Sequence, residues 1–121
     1  MDGQRIMVID DENIVGKMLK SSFEQDGYVV EAFLDAKPAL ARLKEEKFDV
    51  VITDLKMKGI DGMEVLNTIK TESPEIKVIM VTAYASMDAA VEAFRKSVDD
   101  FLAKPIKISD LKAIVKRLLS H

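Results

Sequence analysis

The chain alternates between two hydrophobic rhythms. Ile6-Met7-Val8-Ile9 is a continuous apolar run that stops at Asp10-Asp11. Val50-Val51-Ile52 stops at Thr53-Asp54, and Val78-Ile79-Met80-Val81 stops at Thr82. Short uninterrupted runs suit strands buried on both faces of a parallel sheet. Tyr28 to Phe33 is interrupted by Glu31, and Asp100-Phe101-Leu102-Ala103 is short and mixed. These two strands are expected at the sheet edges.

The second rhythm is helical. Leu111, Ile114, Val115, Leu118 and Leu119 keep the i, i+3, i+4, i+7, i+8 spacing of one apolar stripe. Met87, Ala90, Val91 and Phe94 repeat it over two turns. Ile14, Val15, Met18, Leu19 and Phe23 follow the first strand, and Ala36, Ala39, Leu40 and Leu43 the second. Met63, Leu66 and Ile69 form a weaker stripe after the third. Asp35, Asp61, Ser86 and Ser109 precede these runs as candidate N-caps, and Glu64 completes a capping-box spacing from Asp61. Pro38 falls in a first turn, where its missing donor costs little. Gly27 stands where the first helix must stop.

Five β-α units in strict alternation predict an α/β doubly wound fold with helices on both faces of a five-stranded parallel sheet. With strands two and five at the edges, the order is 2-1-3-4-5, the flavodoxin-like arrangement. Its site lies at the carboxyl ends of the strands, beside the switch point between strands one and three.

Bulk properties narrow the possibilities. The 121 residues suit one domain, 1–121, and hydrophobic and charged shares of 48% and 32% are those of a globular chain. The absence of cysteine excludes disulfides and thiolate metal sites and suits the cytoplasm. With a net charge of -3 and scattered basic residues, nothing marks a direct nucleic-acid binder. Neither a signal peptide nor a membrane span is expected. The seven methionines read as core filler, and His121, the last residue, as a frayed end.

Chemistry enters at the strand ends. Asp10 and Asp11 follow strand one, Asp54 follows strand three, Thr82 ends strand four, and Lys104-Pro105 follows strand five. Parallel strands bring these residues to one rim. Like-charged carboxylates about 4 Å apart repel by roughly 4 kcal/mol at an effective dielectric near 20. A hard divalent cation with oxygen ligands is the simplest neutraliser, and Mg²⁺ fits because it takes one or two carboxylates and keeps several waters. Lys104 can pair with Asp54 or a phosphoryl oxygen, Thr82 supplies a hydroxyl, and Asp54 can attack phosphorus to form an acyl phosphate.

These residues resemble those of the bacterial response-regulator receiver (CheY-like) family along essentially the whole chain. The matching segments are Met7–Glu12, Asp49–Leu55, Gly59–Gly62, Val81–Tyr84 and Asp100–Pro105. The resemblance implies a phosphorylation-dependent switch of a two-component phosphorelay. Asp54 would accept the phosphoryl group from a sensor histidine kinase, a phosphotransfer protein or a small phosphodonor. Asp11 would contact Mg²⁺ directly and Asp10 mainly through water, with Asp54 and the Lys56 backbone carbonyl completing the protein ligands. Thr82, Lys104 and the Ala83 N–H would bind the phosphoryl oxygens. Tyr84 sits where the family tunes phosphoryl lifetime, and Phe101 matches its switch aromatic. The Lys104-Pro105 bond is expected to be cis, which is affordable only before proline.

Two departures stand out: Lys58 replaces a frequent proline, and Ser97-Val98 replaces a common Gly-Ala. Helix four, strand five and helix five are the expected output face and a possible homodimer surface, with Asp88, Glu92, Arg95 and Lys112 as exposed candidates. Two readings compete. A Mg-dependent aspartyl phosphatase or phosphotransferase would need a second acid two residues after Asp54, where Lys56 stands. A docking pseudo-receiver would not need the complete site. The chain is therefore read as no enzyme beyond its own phosphorylation and dephosphorylation.

Overall fold

A computed structural model describes residues 3–120. His121 and the first two residues, on which the terminal readings rest, lie outside the described residues. The elements alternate as expected: β1 (Arg5–Ile9), α1 (Asn13–Glu24), β2 (Val29–Phe33), α2 (Ala36–Glu45), β3 (Val50–Thr53), α3 (Gly62–Glu72), β4 (Lys77–Thr82), α4 (Met87–Arg95), β5 (Asp100–Ala103) and α5 (Ile108–Leu118). All neighbouring strands are parallel, in the order β2-β1-β3-β4-β5.

Alternation along each strand divides the core in two, because successive side chains point to opposite faces. Met7, Ile9, Val51, Val78 and Met80 face α2, α3 and α4, where they meet Ala39, Leu66, Ile69 and Ala93. Ile6, Val8, Ile52, Ile79 and Val81 face α1 and α5, where they meet Leu19, Phe23, Leu111 and Val115. Phe23 is fully buried, which is worth about 1.5–3 kcal/mol relative to exposure. It also meets the Tyr28 ring edge-on, with centroids 5.6 Å apart.

The end signals hold unevenly. Asp61 accepts from the Glu64 N–H and Ser86 from the Ala89 N–H, so both are working N-caps. Asp35 is the N-cap of α2 but makes no side-chain capping bond. Ser109 lies inside α5, whose N-cap is Lys107. Gly27 adopts φ +91° just beyond α1, where its N–H meets the Glu24 carbonyl and that of Tyr28 meets Phe23. The Ser97 departure matters structurally: it adopts φ +69° at the turn into β5, a region where a side chain is strained.

The largest difference from expectation concerns α4. Its periodic residues Met87, Val91 and Phe94 are exposed, and its buried residue is Ala93. Ile14 and Met18, read as part of the α1 stripe, are likewise exposed, while Leu19 and Phe23 of the same stripe are buried. Periodicity identifies a face without identifying what covers it. Of the expected exposed charges, Asp88, Glu92 and Arg95 are exposed, but Lys112 is half-buried and pairs with Asp26 at 3.1 Å.

Candidate functional site

Strand register builds the site. Ile9 pairs with Thr53, so the next residues, Asp10 and Asp54, leave adjacent strands side by side. The Asp54 N–H extends the ladder to the Ile9 carbonyl at 2.9 Å. On the other side Thr82 pairs with Ala103, and the Lys104 N–H donates to the Thr82 carbonyl at 2.9 Å. Lys104 therefore enters from β5 at the height of the two acids, and its bond to Pro105 is cis.

The Lys104 ammonium lies 2.8 Å from Asp10 Oδ2, 3.1 Å from Asp54 Oδ2 and 3.6 Å from Glu12 Oε1. Asp10 and Asp54 are buried. The second oxygen of each is also engaged: Asp10 Oδ1 accepts from the Glu12 N–H and Asp54 Oδ1 from the Leu55 N–H. Carboxylate oxygens of Asp10, Glu12 and Asp54 all lie within 4.8 Å of one another.

The electrostatics reveal an unbalanced cluster. Burial lifts the Asp10 carboxyl above its ordinary value, outweighing the Lys104 and Glu12 hydrogen bonds, and nearby Asp54 lifts it further. For Lys104 burial works downward, but its hydrogen bonds to Asp10 and Asp54 prevail and it is pushed up to about 12. One ammonium thus serves three carboxylates. An all-carboxylate donor set with surplus negative charge fits a hard divalent cation such as Mg²⁺.

Glu12 is the member of this cluster that sequence reasoning passed over as a ligand. Its signal is the acid immediately after the Asp10-Asp11 pair, brought back by the turn that Asp10 Oδ1 makes with the Glu12 N–H. Asp11, expected to be the direct ligand, is exposed and stands outside the trio. It nevertheless lines an open cleft with Glu12, Asp54, Lys56, Ala83 and Tyr84. Lys58 borders the same cleft and is exposed.

Thr82 is fully buried, and its hydroxyl accepts from the Tyr84 N–H at 3.0 Å, with no hydrogen bond to Asp54. Tyr84 is 63% exposed and Phe101 half-buried. A second cavity of about 410 Å³ runs from Asp10, Asp54 and Lys104 between the heads of α1 and α5, past Met18 and Ile106.

Comparison with known proteins agrees with this geometry. Residues 6–116 match the family model described as the response regulator receiver domain. The chain is 32% identical over 121 residues to the DNA-binding transcriptional regulator NtrC of Proteus hauseri, covering all of this chain and 26% of that protein. It thus spans about a quarter of that relative's length. The receiver domain protein of Clostridium thermocellum is 32% identical with a TM-score of 0.90, over 97% of this chain and 94% of that one. The response regulator protein TrrA of Thermotoga maritima, solved in complex with Mg²⁺-BeF, is 31% identical with a TM-score of 0.86, over 96% of this chain and 99% of that one.

Proposed function

The chain belongs to the response regulator receiver domain family of two-component systems, and from that premise we propose that it is a switch driven by phosphorylation of Asp54. The observation that carries the proposal is the convergence of Asp10, Glu12 and Asp54 on the single ammonium of Lys104.

Asp10, Glu12 and Asp54 would hold Mg²⁺, with Asp11 and the Lys56 main chain at the bordering cleft. Mg²⁺ would neutralise charge on the transferring phosphoryl group. An Asp54 carboxylate oxygen attacks phosphorus, forming an O–P bond as the bond to the donor breaks and the leaving group departs. The donor is the phosphohistidine of a histidine kinase or phosphotransfer protein, or a small acyl phosphate. Lys104 is already hydrogen-bonded to Asp54 and follows the new oxygens.

Thr82 exchanges its bond from the Tyr84 N–H for one donated to the phosphoryl group. The bond given up is worth about 1 kcal/mol, less than the charge-assisted one gained. This exchange would pull the β4–α4 loop and let Phe101 repack. Exposed Met87, Val91 and Phe94, beside Asp88, Glu92 and Arg95, provide a surface on which such a change can be read. We assign the output, and a homodimer contact, to α4, β5 and α5.

The domain performs this chemistry on itself and turns over no external substrate. Intact mass after acetyl phosphate and Mg²⁺ tests the assignment. One phosphoryl group per chain, absent from Asp54→Ala, is expected. Rapid multiple turnover without an adduct would establish an enzyme instead.

A further inference from the structure

We infer that Gly62, the first residue of α3, and its N-cap Asp61 are positioning residues for cation binding at Asp54. The inference rests on the proposed Mg²⁺ site and adds a part of the chain outside the acidic cluster.

The loop after β3 returns so that α3 begins against the loop's own origin. The Gly62 N–H donates to the Leu55 carbonyl at 2.8 Å. A Cβ built on Gly62 would lie 2.2 Å from the Asp54 carbonyl oxygen, 2.8 Å from Leu55 Cα and 3.0 Å from the Asp54 carbonyl carbon. All three obstacles are main-chain atoms, so no side chain can swing away. Gly62 is not among the glycines with positive φ. Glycine is therefore required here for space rather than for backbone conformation.

This contact reaches the carboxylate. Asp54 Oδ1 accepts from the Leu55 N–H at 2.7 Å, and the carbonyl of that same Leu55 is held by Gly62. On its opposite side the Asp54 N–H is fixed to β1. The Asp54 main chain is thus clamped between β1 and the α3 terminus, and its side chain is tied to the clamped peptide. Asp61 fixes how α3 enters, through its bond from the Glu64 N–H at 3.0 Å. Displacing α3 therefore moves the reactive carboxylate relative to Asp10 and Glu12 without touching either.

The test is Mg²⁺ affinity of the full chain, measured from amide chemical shifts titrated with MgCl₂, alongside urea unfolding. Gly62→Ala should bind roughly tenfold more weakly or worse, since displacements near 1 Å are felt strongly at such sites. Asp61→Ala should weaken binding about two- to fivefold, because a lost cap depletes the competent conformation. Asp61→Ser keeps a capping oxygen without the charge and should stay within about twofold of the unaltered chain. Ser86→Ala, which removes the matching cap from α4, should leave affinity unchanged. A folded Gly62→Ala with unaltered affinity overturns the inference. If Gly62→Ala does not fold, the Asp61 pair decides. Equal weakening by Ala and Ser assigns the effect to charge and overturns it, as does no weakening by Ala. Failure of the unaltered chain to bind Mg²⁺ sinks the proposed site and this inference together; binding with indifferent variants sinks the inference alone.

Discussion

Two lysine ammonium groups sit at opposite ends of the same sheet, each against a well-covered carboxylate. At the amino end Lys70 lies 2.8 Å from Asp99, donates to the Ile76 carbonyl, and shares Asp99 with the Val78 N–H. One acid meets one base, and main-chain groups take the remaining Lys70 donors and share Asp99 Oδ2. At the carboxyl end Lys104 faces Asp10, Glu12 and Asp54 together, and its side-chain bonds go to carboxylates alone. The first arrangement is balanced in charge and ties α3, β4 and the turn before β5 together. The second retains unmet negative charge. Ion pairing and burial are common to both, so imbalance is what separates a site from a latch.

The sharpest break of this comparison is loss of each lysine in turn. Lys104→Met should slow acetyl-phosphate uptake by about 100-fold or more, read from the rate of adduct formation by mass. Lys70→Met should leave that rate within about twofold but cost about 2 kcal/mol in urea unfolding, because Asp99 loses its counterion. Added Mg²⁺ should not restore the Lys70 variant. If both variants lose rate and stability alike, the distinction between site and latch fails.

Asp54→Asn should raise metal-free stability by about 1 kcal/mol: it removes one of three crowded charges and keeps the oxygen that accepts from Leu55, which outweighs replacing the oxygen that accepts from Lys104 with an amide group. The gain should vanish in saturating Mg²⁺, as seen by urea midpoints in both buffers. A similar neutralisation of Asp99 should destabilise instead.

A subtler effect appears in alkali. Lys104 is held above the ordinary lysine value, so the folded chain keeps a proton that the unfolded chain releases. Its contribution is complete below 10.5 and is lost as pH rises through about 12. Tyr28, raised by burial and by Asp26, acts in the same direction above 10.0, since the unfolded phenol ionises first. Urea midpoints in a Tyr28→Phe background should therefore still fall with alkali, but less so when Lys104→Met is added. The smallest expected effect is Ser97→Gly, which should stabilise the turn at the latch end by about 0.5 kcal/mol by relieving φ +69°.

Much of this molecule was legible because parallel-sheet physics ties burial, strand order and strand ends together. Continuous runs such as Ile6–Ile9 marked the interior strands, and the polar residue after each run marked the rim. Asp10, Asp54 and Lys104 meet there as expected. Glu12 was obscured because its approach depends on a local turn closed by Asp10, which composition does not encode. The Gly62 contact depends on where a long loop returns, and residue spacing is silent on that. The α4 stripe misled for a different reason: Met87, Val91 and Phe94 have helical spacing, but the helix seats through small Ala93 and leaves them facing outward.

That shallow seating of α4 has an evolutionary consequence. A helix anchored through the small side chains of Ala89 and Ala93 can change its outer lettering with little thermodynamic penalty, while the acids and lysine at the rim stay as they are. Descendants of such a chain could acquire new listeners without relearning how to receive the message.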